Sequence, residues 1–395
     1  MTRPPLFRAL LLLSLAACAG EPAGEAPAAG LATRVDTAGG RIVVRSAGTP
    51  PAWEATPLAS IGSAGDQAEP GPAEFGRVSS LVADREGNAY VADILADEVR
   101  VFDARGGFLR TLGRPGRGPG EIGDAYSLAW LGDTLAVMDP RNARIGLFTR
   151  SGAPAGSWRW QPLTGTVRFL QAGAAAYVQV LRSAGAGRAP ERRFVRFTAA
   201  GAGDTVAAPD FPAAMSPVVC SLPDGSMSFF QTPFAPTLVY GFGPGGELVV
   251  VPDGGYRIAF LGRGGDTVRV VEREHAAVPV SDGEWEEGLR PYRELREKTP
   301  AADCDGEMTR PEHRPAIRHL LFDDGGRMWV ESTTPGGFAW DVFDAEGRLL
   351  GSLPAPPRAE GVPSYVRGDR LYLVEADSLG VQSVRSYRVA GRSPR

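Results

Sequence analysis

One short motif recurs six times along the chain, and it constrains the fold more than any other feature of the sequence. Each copy alternates apolar and polar residues, ends in an aromatic residue and has a glycine four positions later. The aromatic residues of the six copies are Phe102, Phe148, Phe197, Phe260, Phe343 and Tyr387. They are separated by 46, 49, 63, 83 and 44 residues. The spacing indicates a repeat of about 45 residues with insertions in two intervals.

Each repeat has the pattern of four short strands. In the first repeat, apolar runs at 81–84, 89–92 and 99–102 are followed by a fourth run at 108–112. Glycine and proline contribute 51 and 34 of the 395 residues, which suits a fold with many turns. Four strands in about 45 residues are typical of a propeller blade. The sequence therefore predicts an all-β chain folded as a β-propeller.

The two ends of the repeat region predict how the propeller closes. The sixth repeat ends after its third strand, near Val389, and residues 56–61 resemble the missing fourth strand. Pairing them would join the chain ends in the last blade and give six blades. Seven blades are the alternative, because residues 218–230 have the pattern of an additional hairpin. We assign that segment to an elongated third blade, since no seventh aromatic–glycine motif accompanies it.

A helix is predicted in the longest interval, near 281–300. Ser281 and Glu284 have the spacing of a capping box, Pro300 ends the segment, and apolar residues between them recur at helical spacing. The insertion is expected either to pack as a structural element on one face of the propeller or to act as a lid or partner-docking element.

The N-terminus indicates export. A start containing Arg3 and Arg8 precedes a short apolar stretch that cannot span a bilayer. Residues 15–18, Leu-Ala-Ala-Cys, resemble a bacterial lipobox, which implies cleavage before Cys18 and anchoring by acyl chains on its thiol. The residue after the lipidated cysteine is Ala19 rather than an acidic residue, which implies the outer membrane.

The chain is accordingly divided into three parts. A lipoprotein signal peptide occupies 1–17, the lipidated Cys18 and a flexible tether occupy 18–40, and the propeller with its helical insertion occupies 41–395. The tether is inferred mainly from residues 19–30, which are only alanine, glycine, proline and glutamate.

The connections between repeats also recur. The segments Gly71–Gly76 and Gly118–Gly123 share a Gly-Pro-x-Glu-x-Gly pattern, and each leads into the first strand of a repeat. Together with Tyr90–Asp93 and the Phe102 motif, this region resembles NHL-type repeats. The resemblance implies a six-bladed propeller lipoprotein of that broad family. It implies no activity, because propellers of this kind host unrelated functions.

The cysteine and histidine residues raise two possibilities, a disulfide and a metal site. Cys220 and Cys304 remain once Cys18 is lipidated, and in an exported protein they could form a disulfide or stay as separate thiols. His313 and His319 lie near Cys304 and several carboxylates in the sequence. No metal-binding spacing such as CxxC or HExxH is present, so we predict no metal site, with calcium or zinc kept as an alternative.

The central channel is the expected place for a ligand. First-strand positions face the channel of a propeller, and they include Arg168, Arg318, His319 and Tyr365. Arginines around one channel would favour an anionic ligand, or they could pair with carboxylates of neighbouring blades. Ser80 and Ser127 occupy equivalent first-strand positions. The aspartates that end equivalent second strands, Asp93 and Asp139, are expected to form turn or inter-blade hydrogen bonds.

Two classes of function follow. The 42 basic and 46 acidic residues give a formal net charge of -4, so nucleic acid is not an expected partner. Since the chain has no recognised catalytic motif, we predict an anchored binding or scaffold module for a protein, peptide or glycan. The alternative is a metal-dependent hydrolase or lyase with a site in the channel, since NHL-like and related propellers include an amidating lyase and lactonases.

Overall fold

The computed structural model describes residues 30–62, 71–160, 168–182, 191–208 and 217–391, and in these ranges the protein is built from strands with one α-helix. The expected signal peptide and Cys18 lie outside the described residues. No helix in the described part of the chain is long and apolar enough to cross a membrane.

Six antiparallel four-strand meanders make up most of the fold. The first consists of β4 (Val78–Ala83), β5 (Ala89–Asp93), β6 (Glu98–Phe102) and β7 (Phe108–Leu112). The second consists of β8 (Ser127–Leu131), β9 (Thr134–Asp139), β10 (Arg144–Phe148) and β11 (Pro154–Arg159). The third consists of β12 (Phe169–Ala172), β13 (Ala175–Arg182), β14 (Glu191–Thr198) and β15 (Gly201–Ala207).

The other three meanders follow the same order from first to fourth strand. The fourth consists of β18 (Val239–Phe242), β19 (Leu248–Val251), β20 (Arg257–Leu261) and β21 (Thr267–Arg273). The fifth consists of β23 (Ile317–Phe322), β24 (Met328–Thr334), β25 (Gly337–Phe343) and β26 (Leu349–Pro354). The sixth consists of β27 (Tyr365–Arg367), β28 (Arg370–Ala376), β29 (Gln382–Gly391) and the early strand β3 (Trp53–Ile61).

The sixth meander joins the two ends of the described chain. Strand β3 pairs antiparallel with β29 from Ile61 opposite Val384 to Trp53 opposite Gly391. This is the pairing that the sequence predicted for residues 56–61. It gives the last sheet its fourth strand, and it makes the fold depend on two segments more than 300 residues apart.

The segment between residues 31 and 40 corrects one prediction. It was assigned to the flexible tether, but β1 (Ala32–Ala38) pairs antiparallel with β2 (Arg41–Ala47). Strand β2 then pairs in parallel with β21 and extends the fourth sheet to six strands. Val43, Val44 and Ser46 of β2 are buried, whereas the alanine-rich stretch that suggested a tether ends at Gly30.

The segment 218–230 corrects a second prediction. It does not elongate the third meander: β16 (Val218–Ser221) and β17 (Met227–Phe230) pair with each other, and β16 also pairs with β22 (Asp303–Cys304). The hairpin therefore belongs to a separate three-stranded sheet and does not form a seventh four-strand meander. The third strand of this sheet, β22, comes from a segment far from the hairpin in the sequence. The hairpin pattern alone therefore could not reveal this sheet.

Helix α1 (Asp282–Lys298) lies with β22 in the insertion between the fourth and fifth meanders. Both halves of its predicted capping box form, since the Ser281 side chain accepts from the Glu284 amide and the Glu284 side chain accepts from the Ser281 amide. The helix packs on the hairpin through an edge-to-face contact between Tyr292 and Phe230, with ring centroids 5.4 Å apart.

The glycine of the repeated motif has a structural role in three of its copies. Gly106, Gly152 and Gly347 have φ between 90° and 94°, which favours glycine. A Cβ at Gly152 would lie 2.3 Å from the Leu112 side chain, and one at Gly347 would lie 2.5 Å from Val271. In both cases the contacted residue lies on the fourth strand of the preceding meander. In these three copies the glycine allows the turn to pack directly on the neighbouring sheet.

The core consists of apolar layers between successive sheets. Strands β4, β5 and β8 are buried along their whole length, because both of their faces contact neighbouring meanders. Tyr90 of the first meander, for example, packs edge-to-face on Trp130 of the second, with centroids 5.0 Å apart. These layers hold the first strands at fixed positions around the centre.

The alternating strand directions give the molecule two distinct faces. The connections between successive meanders, such as 113–126 and 355–364, and the loops between second and third strands share one face, which we call the connection face. The tight turns between first and second strands and between third and fourth strands lie on the opposite face, which we call the turn face. First strands begin at the connection face.

The pairing of β3 with β29 predicts a contrast within one strand. Replacing the buried Ile61 by alanine is expected to lower the free energy of unfolding by about 2–5 kcal/mol, because Ile61 packs between the sixth and first meanders. The substitution Leu58→Ala, at an exposed position of the same strand, is expected to cost less than about 1 kcal/mol. Urea unfolding followed by tryptophan fluorescence measures both, and equal losses would contradict the role given to this strand.

Candidate functional site

A cavity of about 470 Å³ lies where the first strands of the six meanders meet. Every meander contributes to its wall. The contributing first-strand residues include Ser80, Ser127, Phe169, Tyr240, His319 and Tyr365. The four residues that the sequence placed in the channel all line this cavity, namely Arg168, Arg318, His319 and Tyr365. The structure therefore brings together residues that are up to 197 positions apart in the sequence.

Two of the serines in the wall are occupied by structural hydrogen bonds. Ser80 Oγ accepts from the Leu128 amide at 3.0 Å, and Ser127 Oγ accepts from the Phe169 amide at 3.1 Å. Each serine thus ties its first strand to the first strand of the next meander. This explains hydroxyl side chains at equivalent positions without a ligand.

Arg168 lies at the connection-face mouth of the cavity, directly before β12. Its guanidinium donates to the Ser79 carbonyl, and Cζ lies 5.0 Å from the centroid of the Tyr126 ring. Burial lowers the pKa of Arg168 from its ordinary value, although an arginine remains charged at neutral pH. Among the described residues, no carboxylate forms an ion pair with this guanidinium. Its positive charge is therefore available to the cavity.

Arg318 lies at the same mouth, near the start of β23. Its Cζ is 4.1 Å from the centroid of the Phe338 ring, so the guanidinium rests on an aromatic face. Its Nη2 lies 3.6 Å from Oε1 of Glu360, a carboxylate whose side chain is 90% exposed. An ion pair with so exposed a partner is weak and can exchange for a ligand.

His319 is uncharged at neutral pH. Burial and the positive charges of Arg358 and Arg318 together lower its pKa to about 4, with Glu331 opposing the shift. Within the described residues its buried Nδ1 has no hydrogen-bond partner, and its ring packs edge-to-face on Trp340 at 6.0 Å. A neutral imidazole can donate through one nitrogen and accept through the other, which suits a polar ligand group.

The buried pair Glu331–Arg358 is a feature that the sequence did not reveal. Glu331 lies opposite His319 in the pairing of β23 with β24, and it receives two hydrogen bonds from Arg358, at 2.9 and 2.6 Å. Burial raises the pKa of the Glu331 carboxyl, but the hydrogen bonds and charge of Arg358 outweigh it, so the pKa lies below its usual value. The available signal was a glutamate within the apolar run of β24.

Tyr365 and Ser364 complete this side of the wall. Burial raises the pKa of Tyr365 to about 12, so its hydroxyl stays protonated. The Ser364 side chain is buried, and its Oγ has no hydrogen-bond partner among the described residues. Both residues line the cavity, and Ser364 Oγ and His319 Nδ1 are buried polar atoms without a hydrogen-bond partner among the described residues.

The electrostatic character of the cavity follows from its lining. The wall contains Arg168, Arg318 and a neutral histidine, and no aspartate or glutamate lines it among the described residues. Nor do these residues include a group of three or more His, Cys, Asp or Glu placed to hold a metal ion. The lining thus supplies cationic and neutral donors rather than the carboxylates that calcium requires or the nitrogen and sulfur ligands of zinc.

Cys304 is not available for the metal site considered from the sequence, because it forms a disulfide. Cys220 and Cys304 face each other in neighbouring strands and are joined by a disulfide with an S–S distance of 2.08 Å. The thiolate that a metal cluster with His313 would use is therefore absent. The disulfide ties β22, which follows helix α1, to the hairpin that α1 packs on.

Asp93 and Asp139 play equivalent structural roles. Asp93 accepts from the Gly76 amide at 2.8 Å, and Asp139 accepts from the Gly123 amide at 3.2 Å. Each aspartate anchors the end of one of the two repeated Gly-Pro segments. The prediction that they form turn hydrogen bonds is confirmed, and neither lines the cavity.

Comparisons with known proteins found similarity in structure only. No protein-family model matches the chain, and no curated protein matches it in sequence. An exported protein from Bacteroides fragilis is 12% identical, with 86% of this chain and 96% of that chain covered and a TM-score of 0.46. A DUF4221 family member from Bacteroides vulgatus is 10% identical, with 92% and 99% covered and a TM-score of 0.47. Virginiamycin B lyase from Staphylococcus aureus is 10% identical, with 85% and 98% covered and a TM-score of 0.41. These identities leave the activity of this chain open.

The low pKa of His319 predicts a pH dependence of stability. Between about pH 6.5 and the folded-state pKa of about 4, the unfolded chain binds a proton at this position and the folded chain does not. The contribution of neutral His319 to the free energy of unfolding is fully present above pH 6.5. It falls by about 2–3 kcal/mol as the pH is lowered toward 4. Urea unfolding at pH 7.5, 5.5 and 4.5 should show a shallower loss in His319→Gln than in the unchanged chain. His313→Gln, at an exposed histidine, should keep the full slope; a full slope in His319→Gln would contradict the assignment.

The disulfide predicts a stabilisation of the whole fold through the insertion. Cys220 and Cys304 are 84 positions apart, and closing such a loop is worth about 4 kcal/mol in the chain-entropy model. Reduction, or the double substitution Cys220→Ala with Cys304→Ala, should lower the free energy of unfolding by about that amount and expose 281–310 to protease first. The reductant should have no further effect on the double variant, which serves as its control. Unchanged stability and cleavage after reduction would refute the prediction.

Proposed function

We propose that the protein is a lipid-anchored, six-bladed β-propeller of the bacterial envelope that binds an anionic group in its central channel. The observation that carries the proposal is the pair Arg168 and Arg318, two arginines at the mouth of a cavity whose described lining contains no carboxylate. The ligand is expected to be a carboxylate or phosphate group presented by a peptide or glycan partner.

The six meanders support the six-bladed interpretation. Each contributes its first strand to the wall of one cavity, and β4 contacts both β8 of the next meander and β27 of the last. A ring of sheets around a central channel is the arrangement of a propeller. The pairing of β3 with β29 closes the last blade.

Export and anchoring are supported by two separate features. Residues 15–18 have the lipobox pattern that would place acyl chains on Cys18. The disulfide between Cys220 and Cys304 suits an oxidising compartment outside the cytoplasm. With Ala19 after the lipidated cysteine, we expect the outer membrane.

The geometry of the two arginines supports an anion rather than a neutral ligand. Both guanidinium groups rest on aromatic rings, so little side-chain freedom is lost when they bind. Arginine forms bidentate hydrogen bonds with carboxylate and phosphate. His319 and Ser364 add neutral polar groups beside them. The cavity volume suits one end of a partner molecule rather than a folded domain.

The alternative function is a metal-dependent hydrolase or lyase acting in the channel. It requires several metal ligands that converge from different blades, and no such group is present in the described part of the chain. We therefore place binding first. Metal analysis of the purified protein separates the two, since a tightly held calcium or zinc ion would favour the enzyme.

Anion binding is tested by titrating the full chain in detergent with citrate and with inorganic phosphate in a calorimeter. Arg168→Gln and Arg318→Gln should each weaken binding by about 10–100-fold, the effect of removing a hydrogen bond to a charged group. Arg388→Gln removes an exposed arginine outside the cavity and should leave the affinity unchanged. Equal affinities in all four proteins would refute the channel as the site.

A further inference from the structure

The described chain begins beside the insertion. Gly30 forms a bridge with Thr49, and β2 ends where β21 ends, because these two strands run in parallel. The carbonyl of Ser46 accepts from the Glu274 amide, the first residue after β21. The described chain therefore begins at the connection face, beside the point where the fourth meander leads into the insertion.

The most exposed apolar side chains lie on the same face. Among the described residues, the four large hydrophobic side chains with the highest exposure are Leu379 at 87%, Leu95 at 67%, Phe229 at 62% and Met227 at 60%. Leu95 and Leu379 lie in loops between second and third strands of the neighbouring first and sixth meanders. Phe229 and Met227 lie on β17, an edge strand of the three-stranded sheet, in the connection between the third and fourth meanders. All four therefore belong to the connection face.

The arrangement places these side chains on different sides of the channel mouth. Leu95 and Leu379 belong to the first and sixth meanders, and β17 precedes the fourth. Arg168 and Arg318 lie between them, since first strands begin at this face. A flat surface that touches these loops and β17 would therefore face the channel mouth.

The length of chain before Gly30 limits which face can approach the anchor. Eleven residues separate Cys18 from Gly30, and a fully extended chain of this length spans at most about 40 Å. The connection face is the face nearest to the anchor, because the turn face lies about 23 Å further along the seven-residue strand β1 and would use up more than half of that reach.

We propose that the connection face rests on the phospholipid surface that holds Cys18, with the loop leucines inserted among the headgroups and the channel mouth opening toward the bilayer. This inference rests on the proposed lipidation of Cys18. Apolar side chains at loop tips gain by leaving water at such a surface.

The net charge of the insertion between the fourth and fifth meanders indicates which lipid surface the face can contact. Residues 274–316 contain eleven acidic and six basic residues, so this part of the face is repelled by strongly anionic lipid. Contact should therefore be apolar in origin. It is expected on phosphatidylethanolamine vesicles and should change little between 50 and 500 mM salt.

The test uses the full chain with one introduced thiol. Cys220 and Cys304 are bonded to each other and Cys18 carries the expected lipid, so L379C, L95C and L109C each add a single reactive thiol for an environment-sensitive dye. Leu109, 45% exposed on the fourth strand of the first meander near the turn face, is the matched control. Each labelled protein is reconstituted into phosphatidylethanolamine vesicles containing a nitroxide lipid.

The proposed orientation predicts at least threefold stronger quenching at positions 379 and 95 than at position 109 in protein that floats with the vesicles. Equal quenching at the three positions in floating protein would overturn the orientation and leave the anchor intact. A chain that does not float with the vesicles would overturn both the anchor and the orientation. Loss of calorimetric anion binding in Arg168→Gln with normal quenching would separate the channel from the membrane contact.

Discussion

The fold depends on one constraint, which is that the sixth sheet needs a fourth strand that the C-terminal part of the described chain does not supply. The pairing between β3 and β29 meets this constraint by using a strand from the beginning of the described chain to complete the last meander. Until that pairing forms, the sixth sheet lacks its fourth strand. The cavity wall takes residues from all six meanders, so it is complete only when the sixth meander is in place.

Once the ring is closed, the same packing sets the chemistry of the channel. Serines and backbone amides join successive first strands, so the wall consists largely of groups that are already hydrogen-bonded. Buried carboxylates near the fifth meander are neutralised locally, as Glu331 is by Arg358. Arg168 and Arg318 differ because aromatic rings, rather than buried carboxylates, support them. A positive potential at the mouth is the result.

The repeat, the closing strand and the capped helix could be predicted because each leaves a local pattern in the sequence. In three copies of the aromatic–glycine motif, the glycine permits a turn that packs on the preceding sheet. Channel positions followed from the repeat, since the residue that begins a first strand in one meander begins it in the next. The role of Cys18 lies outside the described residues and stays a prediction.

Three features could not be predicted because they depend on contacts between segments distant in sequence. The strand at 32–38 reads as a linker until its pairing with β2 is known, and the hairpin at 218–230 lacks its third strand until Cys304 is placed beside it. The Glu331–Arg358 pair joins residues 27 positions apart through the folded ring. In each case the partner segment, which for the strand at 32–38 and β2 is β21, lies too far away in the sequence to be inferred from the local pattern.

The central claim is that the channel mouth is an anion site formed by Arg168 and Arg318. A crystal of the protein soaked in bromide or selenate tests it most directly, because either anion is located by its anomalous scattering. The account predicts the strongest anomalous peak within hydrogen-bond distance of a guanidinium at the mouth. Strong peaks elsewhere on the surface, with none beside Arg168 or Arg318, would contradict it.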